Sequence, residues 1–181
     1  IGFMDGVSET LSLADKDTKD ISRIIHGTTV ATNTIITETG AKVGMLLTEG
    51  CSDILQIGYG LRPKMYDLDM DPVEPLFLAP RRRCVGVEER MDYKGSVILK
   101  LNEKDLIAKA KYLVEKEHCD VFVVCYLHSY ANPTHEKKTK KLLKRLYPEI
   151  PISISSEVLP RKREYKRLVV TGFDGYVKPI V

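Results

Sequence analysis

Short apolar runs alternate with amphipathic stretches along most of the 181 residues. Val43 to Leu47, Val121 to Cys125 and Ile152 to Ser155 read as buried strands, and the β-branched run Ile21 to Ile25 reads as another. Between them lie helical patterns. Thr29 to Glu38 is a helix stopped by Gly40 as a left-handed terminator, and Cys51 to Ile57 is a brief one. Leu106, Ile107, Ala110, Leu113 and Val114 recur at helical spacing behind Asn102 as N-cap, with Asp105 three residues further on. Pro133 takes the first helical position behind Asn132 as cap, and Glu164 to Tyr176 forms a closing helix. Gly2 to Asp20 reads as the end of a preceding element plus a short polar helix. Apolar strands separated by amphipathic helices predict an α/β fold, a mixed sheet built from parallel βα units with covered faces.

The rhythm breaks between Gly58 and Leu101. Pro63, Pro72, Pro75 and Pro80 forbid a long element there. Arg82 to Glu88 and Val97 to Leu101 then read as the two arms of an antiparallel hairpin turning at Lys94-Gly95. The expectation is a single α/β domain over residues 1–181, with an insertion or subdomain at residues 58–101.

Composition narrows the classes. Hydrophobic content of 43% with 29% charged residues is that of a globular protein. No apolar run is long enough to span a membrane, and no basic-then-apolar leader opens the chain, so the cytoplasm is the expected compartment. A start at Ile1 reads as a processed or engineered boundary. The four cysteines, Cys51, Cys84, Cys119 and Cys125, show no metal-ligand spacing, and no metal site is expected from them. Cys119 and Cys125 flank an apolar strand and read as packing residues. Net charge is only +3. The basic runs Arg81-Arg82-Arg83, Lys137 to Arg145 and Arg161-Lys162-Arg163 lack interleaved aromatic residues, which argues against nucleic acid as a partner.

Polar residues gather at the strand ends, where open α/β sheets meet their ligands. The junction His26-Gly27-Thr28-Thr29, with Asn33 one turn later, is the densest. A helix start there offers free N–H groups to an anion or a polarised carbonyl, although neither standard phosphate-loop pattern is present. His26 suits proton transfer near neutral pH. Thr48 to Asp53, His128 to Asn132 and Ser155 to Glu157 close three further strands. Glu157 suits a base, and Arg163 and Arg167 suit a phosphate or a carboxylate. Structural readings compete at each: Glu157 as a helix-start carboxylate, the arginines as ion pairs, Asn132 and His135 as capping and packing residues.

The run His26-Gly27-Thr28-Thr29-Val30-Ala31-Thr32-Asn33 resembles the signature of the hydantoinase A/5-oxoprolinase family. The similarity continues through Gly40-Ala41-Lys42-Val43-Gly44, Thr48-Glu49-Gly50, Asp53 to Gly58, and Arg62-Pro63 with Tyr66-Asp67-Leu68. It goes on to Ser129-Tyr130-Ala131-Asn132-Pro133 with His135-Glu136, then Ser155 to Pro160, Arg163-Glu164-Tyr165, Arg167 and Tyr176-Val177. These blocks stand in family order over most of the chain from Ile21 onward.

The resemblance implies part of an actin/sugar-kinase/Hsp70-like domain. It also implies ATP with Mg²⁺ as cofactors and a small cyclic amide as substrate. The expected partners are the remainder of a parent polypeptide and a second subunit of hydantoinase B type. Family members couple ATP hydrolysis to opening of hydantoin or 5-oxoproline rings, and relatives serve in ATP-dependent ketone carboxylases. The family's Asp-x-Gly-Gly-Thr phosphate hairpin and its second Gly-Gly-Thr region are both missing. Leu168-Val169-Val170 replaces hydroxyl-rich positions, and Asp174 stands where Asn is usual. The chain therefore reads as a fragment, catalytically inactive when isolated. His26 and Glu157 are the expected catalytic residues, and Gly27, Thr28, Thr29, Asn33, Arg163 and Arg167 the expected substrate or phosphate contacts. A non-catalytic binding or assembly module is the competing class.

Overall fold

The computed structural model describes residues 2–25, 27–61, 66 and 75–181. His26 and the Arg62-Pro63 and Asp67-Leu68 pairs lie outside them. Four strands, β1 (Val43–Thr48), β2 (Cys84–Val87), β5 (Val121–Cys125) and β6 (Ile152–Ile154), form one sheet in the order β2-β1-β5-β6, every pair parallel. A separate antiparallel ribbon pairs β3 (Arg90–Met91) with β4 (Val97–Leu99). Helices α1 (Gly2–Leu13), α2 (Val30–Ile36), α3 (Ile54–Ile57), α4 (Glu103–Glu115), α5 (Thr134–Leu146), α6 (Ser155–Val158) and α7 (Glu164–Val177) complete the chain.

The continuous apolar strands are explained by two covered faces. Side chains alternate across a strand, so Val43, Met45, Leu47, Val121, Val123 and Cys125 enter one core with Leu55, Leu78, Leu168 and Tyr176. Leu46, Phe122 and Val124 enter the other, with Leu106, Leu113, Leu143 and Ile154. Cys119 and Cys125 pack in these cores as expected, and burial pushes both thiols up to about 11. Asn102 caps α4, its Oδ1 accepting from the N–H groups of Lys104 at 3.1 Å and Asp105 at 3.2 Å. Asn132 accepts from the Thr134 N–H at 3.0 Å, one residue later than the Pro133 start predicted.

Three expectations change. Ile21–Ile25 forms no strand, and Ile24 and Ile25 are 55% and 85% exposed. A β-branched run becomes a strand only beside a free sheet edge; β1 is already flanked by β2 and β5, and the run pairs with neither outer strand. The left-handed residue closing α2 is Glu38, at φ 53°, and not Gly40. Gly40 is required for another reason: a Cβ there would overlap the buried Tyr176 ring. Finally, Arg82 to Glu88 does not supply a hairpin arm. Its core, β2, lies parallel to β1 with Cys84 opposite Met45. The hairpin is the shorter β3–β4 ribbon, turning through Gly95 at φ 86°.

Candidate functional site at the carboxyl edge of the sheet

The carboxyl ends of all four parallel strands lead into one buried polar network. Thr48, the last residue of β1, donates its hydroxyl to Glu89 Oε1 and accepts from the Leu127 N–H at 2.8 Å. The other oxygen of Glu89, just beyond β2, sits 2.7 Å from His135 Nδ1. Glu136, fully buried, accepts from the Tyr126 N–H at 2.9 Å, the Ser155 hydroxyl at 2.6 Å and the Ser156 N–H at 2.8 Å. Arg167 is fully buried too. It donates to Ser155 Oγ at 3.0 Å, the Tyr126 carbonyl at 2.6 Å and the Arg161 carbonyl at 3.1 Å. Its guanidinium also lies 5.6 Å from the centre of the Tyr130 ring.

Buried charges persist only when their hydrogen bonds are satisfied, and here Ser155 links the carboxylate of Glu136 to the guanidinium of Arg167. The Tyr126 hydroxyl, 3.0 Å from Thr139 Oγ1, belongs to the same layer, and burial pushes its phenol far above the usual range. The network ties the segments after β1, β2, β5 and β6 to the first turns of α5 and α7. Apart from the Ser156 hydroxyl, which is buried without a hydrogen-bond partner, the polar side-chain atoms named here are engaged with one another or with the backbone, and they brace the carboxyl edge of the sheet.

The predicted site residues that the structure describes fall on three elements, the start of α2, α6 and α7, and His26 lies outside the described residues. Gly27, Thr28, Thr29 and Asn33 do share the start of α2, but all are exposed. Thr28 Oγ1 accepts from the Val30 N–H at 3.2 Å, and Asn33 Nδ2 donates to Thr29 Oγ1 at 3.4 Å. A Cβ added at Gly27 would meet nothing within 4 Å. That junction is open among the described residues. Among the described residues no group of three or more His, Cys, Asp or Glu could hold a metal ion. Glu157, on α6, is half exposed and ion-paired with Lys140 of α5. Arg163 and Arg167 part company: Arg167 is inside the brace, whereas Arg163 is exposed at the start of α7 with φ 80°.

Sequence reading passed over Glu89, quoted Glu136 only as part of a family block, and gave His135 a capping or packing role. The available signal was helical spacing. Glu136 and Thr139 stand seven and four residues before the buried Leu143, on the same face of α5.

Beside the brace, beyond β1, β5 and β6, a cleft of about 410 Å³ opens between α3 and the start of α7. Ile54, Ile57, Tyr59, Leu127, Arg163, Glu164 and Tyr165 line it. The rings of Tyr59 and Tyr165 meet edge to face at 4.7 Å.

A parallel sheet with helices on both faces, polar groups at its carboxyl edge and a cleft there is the arrangement of an open α/β domain, whose ligands are expected at that edge. The chain belongs to the hydantoinase/oxoprolinase family, residues 2–147 matching the family's N-terminal region. It is 35% identical over 179 residues to an uncharacterized protein of Methanocaldococcus jannaschii, covering 97% of this chain and 26% of that one. It is 32% identical over 169 residues to the acetophenone carboxylase gamma subunit of Aromatoleum aromaticum, covering 87% and 23%. The crystal structure of the ATP-dependent caprolactamase from Pseudomonas jessenii matches with a TM-score of 0.82 at 28% identity, over 98% of this chain and 26% of that one. The α/β architecture is the actin-like one implied by the resemblance. The chain spans about a quarter of the length of these relatives.

Proposed function

We propose that this chain is part of the N-terminal region of an ATP-dependent enzyme that opens a cyclic amide such as a hydantoin or lactam, and that it is inactive when isolated. The observation that carries the reading is the close structural likeness to a caprolactamase over 98% of the chain. An unactivated amide carbonyl is a poor electrophile, and ATP would supply the phosphoryl group that makes its carbon attackable. The exposed start of α2 would share the phosphate chain with groups from the rest of the parent polypeptide, with Mg²⁺ expected beside it.

Within this chain, the Glu136–Arg167 brace fixes the carboxyl edge against which a substrate would sit. His26 remains the proposed proton-transfer residue of the family signature. Glu157 could act as a base only after parting from Lys140. Gly27, Thr28, Thr29 and Asn33 offer polar groups to a ligand completed by other parts of the protein. A second subunit of hydantoinase B type and a cytoplasmic setting belong to the same proposal; among the described residues no helix is long and apolar enough to cross a membrane.

The 32% identity to an acetophenone carboxylase subunit supports a second reading, a component of an ATP-dependent ketone carboxylase. The deciding experiment is ATP turnover by the full-length parent, with Mg²⁺ and with and without its second subunit. The panel holds hydantoin, 5-oxoproline, caprolactam, and acetophenone with bicarbonate. Cyclic-amide-stimulated ADP release with a ring-opened product is expected. Stimulation by the ketone alone would transfer the chain to the carboxylases, and no stimulation by any of them would refute both readings.

A further inference from the structure

The cleft between α3 and α7 has one apolar side and one polar end. Ile54, Ile57 and Leu127 supply the first, and the neighbouring residues Arg163 and Glu164 the second. A guanidinium can only donate hydrogen bonds, whereas a carboxylate can only accept them. Both line the cleft, so a ligand there that presents an acceptor and a donor can meet each in turn. A ring amide is such a group, because ring closure holds its C=O and N–H on the same edge. Arg163 has no carboxylate partner among the described residues. Glu164 has only a loose ion pair at 4.0 Å, from one of its oxygens to Arg167, which leaves its other oxygen able to accept. The edge-to-face pair of Tyr59 and Tyr165 gives the cleft an aromatic wall against which a small flat ring can lie. Its volume of about 410 Å³ is at the small end of ligand sites, which suits a ring and excludes a large polymer.

We infer that this cleft binds the cyclic amide, with Arg163 donating to the ring carbonyl, Glu164 accepting from the ring N–H, and Ile54, Ile57 and Leu127 covering the methylene edge. The inference rests on the cyclic-amide reading and deepens it: Arg163 holds the carbonyl, and Glu164 becomes the residue that separates lactams from ketones. A ketone of the same shape uses Arg163 but leaves Glu164 without its donor, and an N-methyl lactam brings a methyl group against the carboxylate. Sites built to hydrogen-bond a particular N–H reject analogues without it strongly, because their own polar groups are left unpaired.

Three probes of similar shape test this by calorimetry on the full-length parent protein: 2-pyrrolidone, N-methyl-2-pyrrolidone and cyclopentanone. The expected result is at least tenfold tighter binding of 2-pyrrolidone than of the other two. Leu127→Trp, which fills the cleft, should abolish binding of all three. Glu164→Ala should remove the preference for 2-pyrrolidone. Arg163→Gly, which keeps the positive φ without strain, should weaken every carbonyl probe. Circular dichroism and a melting curve confirm that each variant is folded, and Ile57→Trp, on the same apolar side of the cleft, replaces Leu127→Trp if that variant does not fold. Absence of binding, equal affinity for the three probes, or binding indifferent to the cleft variants would overturn the inference. ATP turnover measured on the same samples separates the two levels. Lactam-driven turnover with cleft-independent binding leaves the hydrolase and removes this site, whereas cleft-dependent binding without turnover leaves the site and removes the hydrolase.

Discussion

Truncating Glu136 gives the sharpest test of the brace. The carboxylate accepts three hydrogen bonds at 2.6 to 2.9 Å and is fully buried. Hydrogen bonds to a charged group contribute about 1.5–3 kcal/mol each, but part of that is offset because Glu136→Ala also removes a charge that was costly to bury. What remains is the penalty on the groups left behind. The Tyr126 and Ser156 N–H groups lose their acceptor, and Arg167 stays buried with no carboxylate behind Ser155. Breaking a buried charge pair from one side costs about 3–5 kcal/mol, which for a chain of this size lowers Tm by about 6–20 °C. Urea titration of the parent protein, followed by circular dichroism, measures the loss. Arg167→Met combined with Glu136→Ala should cost less than the two single changes added together, since the pair then leaves no orphaned charge. A single-variant loss below about 1 kcal/mol, or strict additivity in the double variant, would refute the account of this network as a coupled unit.

Two further outcomes follow from packing and charge. Gly40→Ala should destabilise by about 1–3 kcal/mol, read by the same titration, because the new methyl group must displace the buried Tyr176 ring, whereas Gly27→Ala, which meets nothing, should be neutral to folding. Burial tends to raise the Asp174 carboxyl, yet hydrogen bonds from Ser153 and from Lys178 at 2.9 Å, with the lysine's charge, hold it below the usual range. A depressed folded value means that Asp174 stabilises above about pH 4 and that the contribution is lost as pH falls through the folded value. Because the pair is more than a third exposed, the effect should stay below about 1 kcal/mol. Asp174→Asn should therefore flatten only the acid limb of the stability profile, below about pH 4.

How far the sequence could be read follows from which force shaped each element. The strands β1, β5 and β6 were visible as short, largely apolar runs and the helices α4, α5 and α7 by the regular period of their buried side chains, and both signals are written in the chain itself. The run Ile21 to Ile25 has the same composition, but strand formation depends on a partner edge that composition does not encode. The hairpin expectation failed in a related way. Val85 and Val87 and the apolar Val97 to Leu99 look equivalent in sequence, yet β2 found a parallel edge on β1 and left Arg90–Met91 to pair with β4. Gly40 was legible as a required glycine and misread in its cause, since a turn and a close ring contact leave the same letter in the chain.

The site was legible as a location and not as an arrangement. Polar residues at strand ends marked the carboxyl edge correctly, but the pattern could not say which of them face inward. Arg163 and Arg167 make the difference plain: they are separated by one helical turn and look alike in sequence. One is enclosed by three acceptors, while the other stands on the rim of the cleft. The division has a physical logic. Two buried charges joined through the Ser155 hydroxyl gain little stability over apolar residues of the same volume, so their distinctive contribution is geometric. Through Ser155, Tyr126 and the Arg161 carbonyl, the pair fixes the ends of β5 and β6 and the first turn of α7 relative to one another. Leu127, Arg163 and Glu164 are carried by those same segments. Loosening Arg167 should therefore weaken small-ring binding without any direct contact to the ring, and the weakening should be uniform across the three probes. Loss of Glu164 should instead act selectively on the N–H. That contrast between uniform and selective loss separates a residue that positions the cleft from one that reads its ligand.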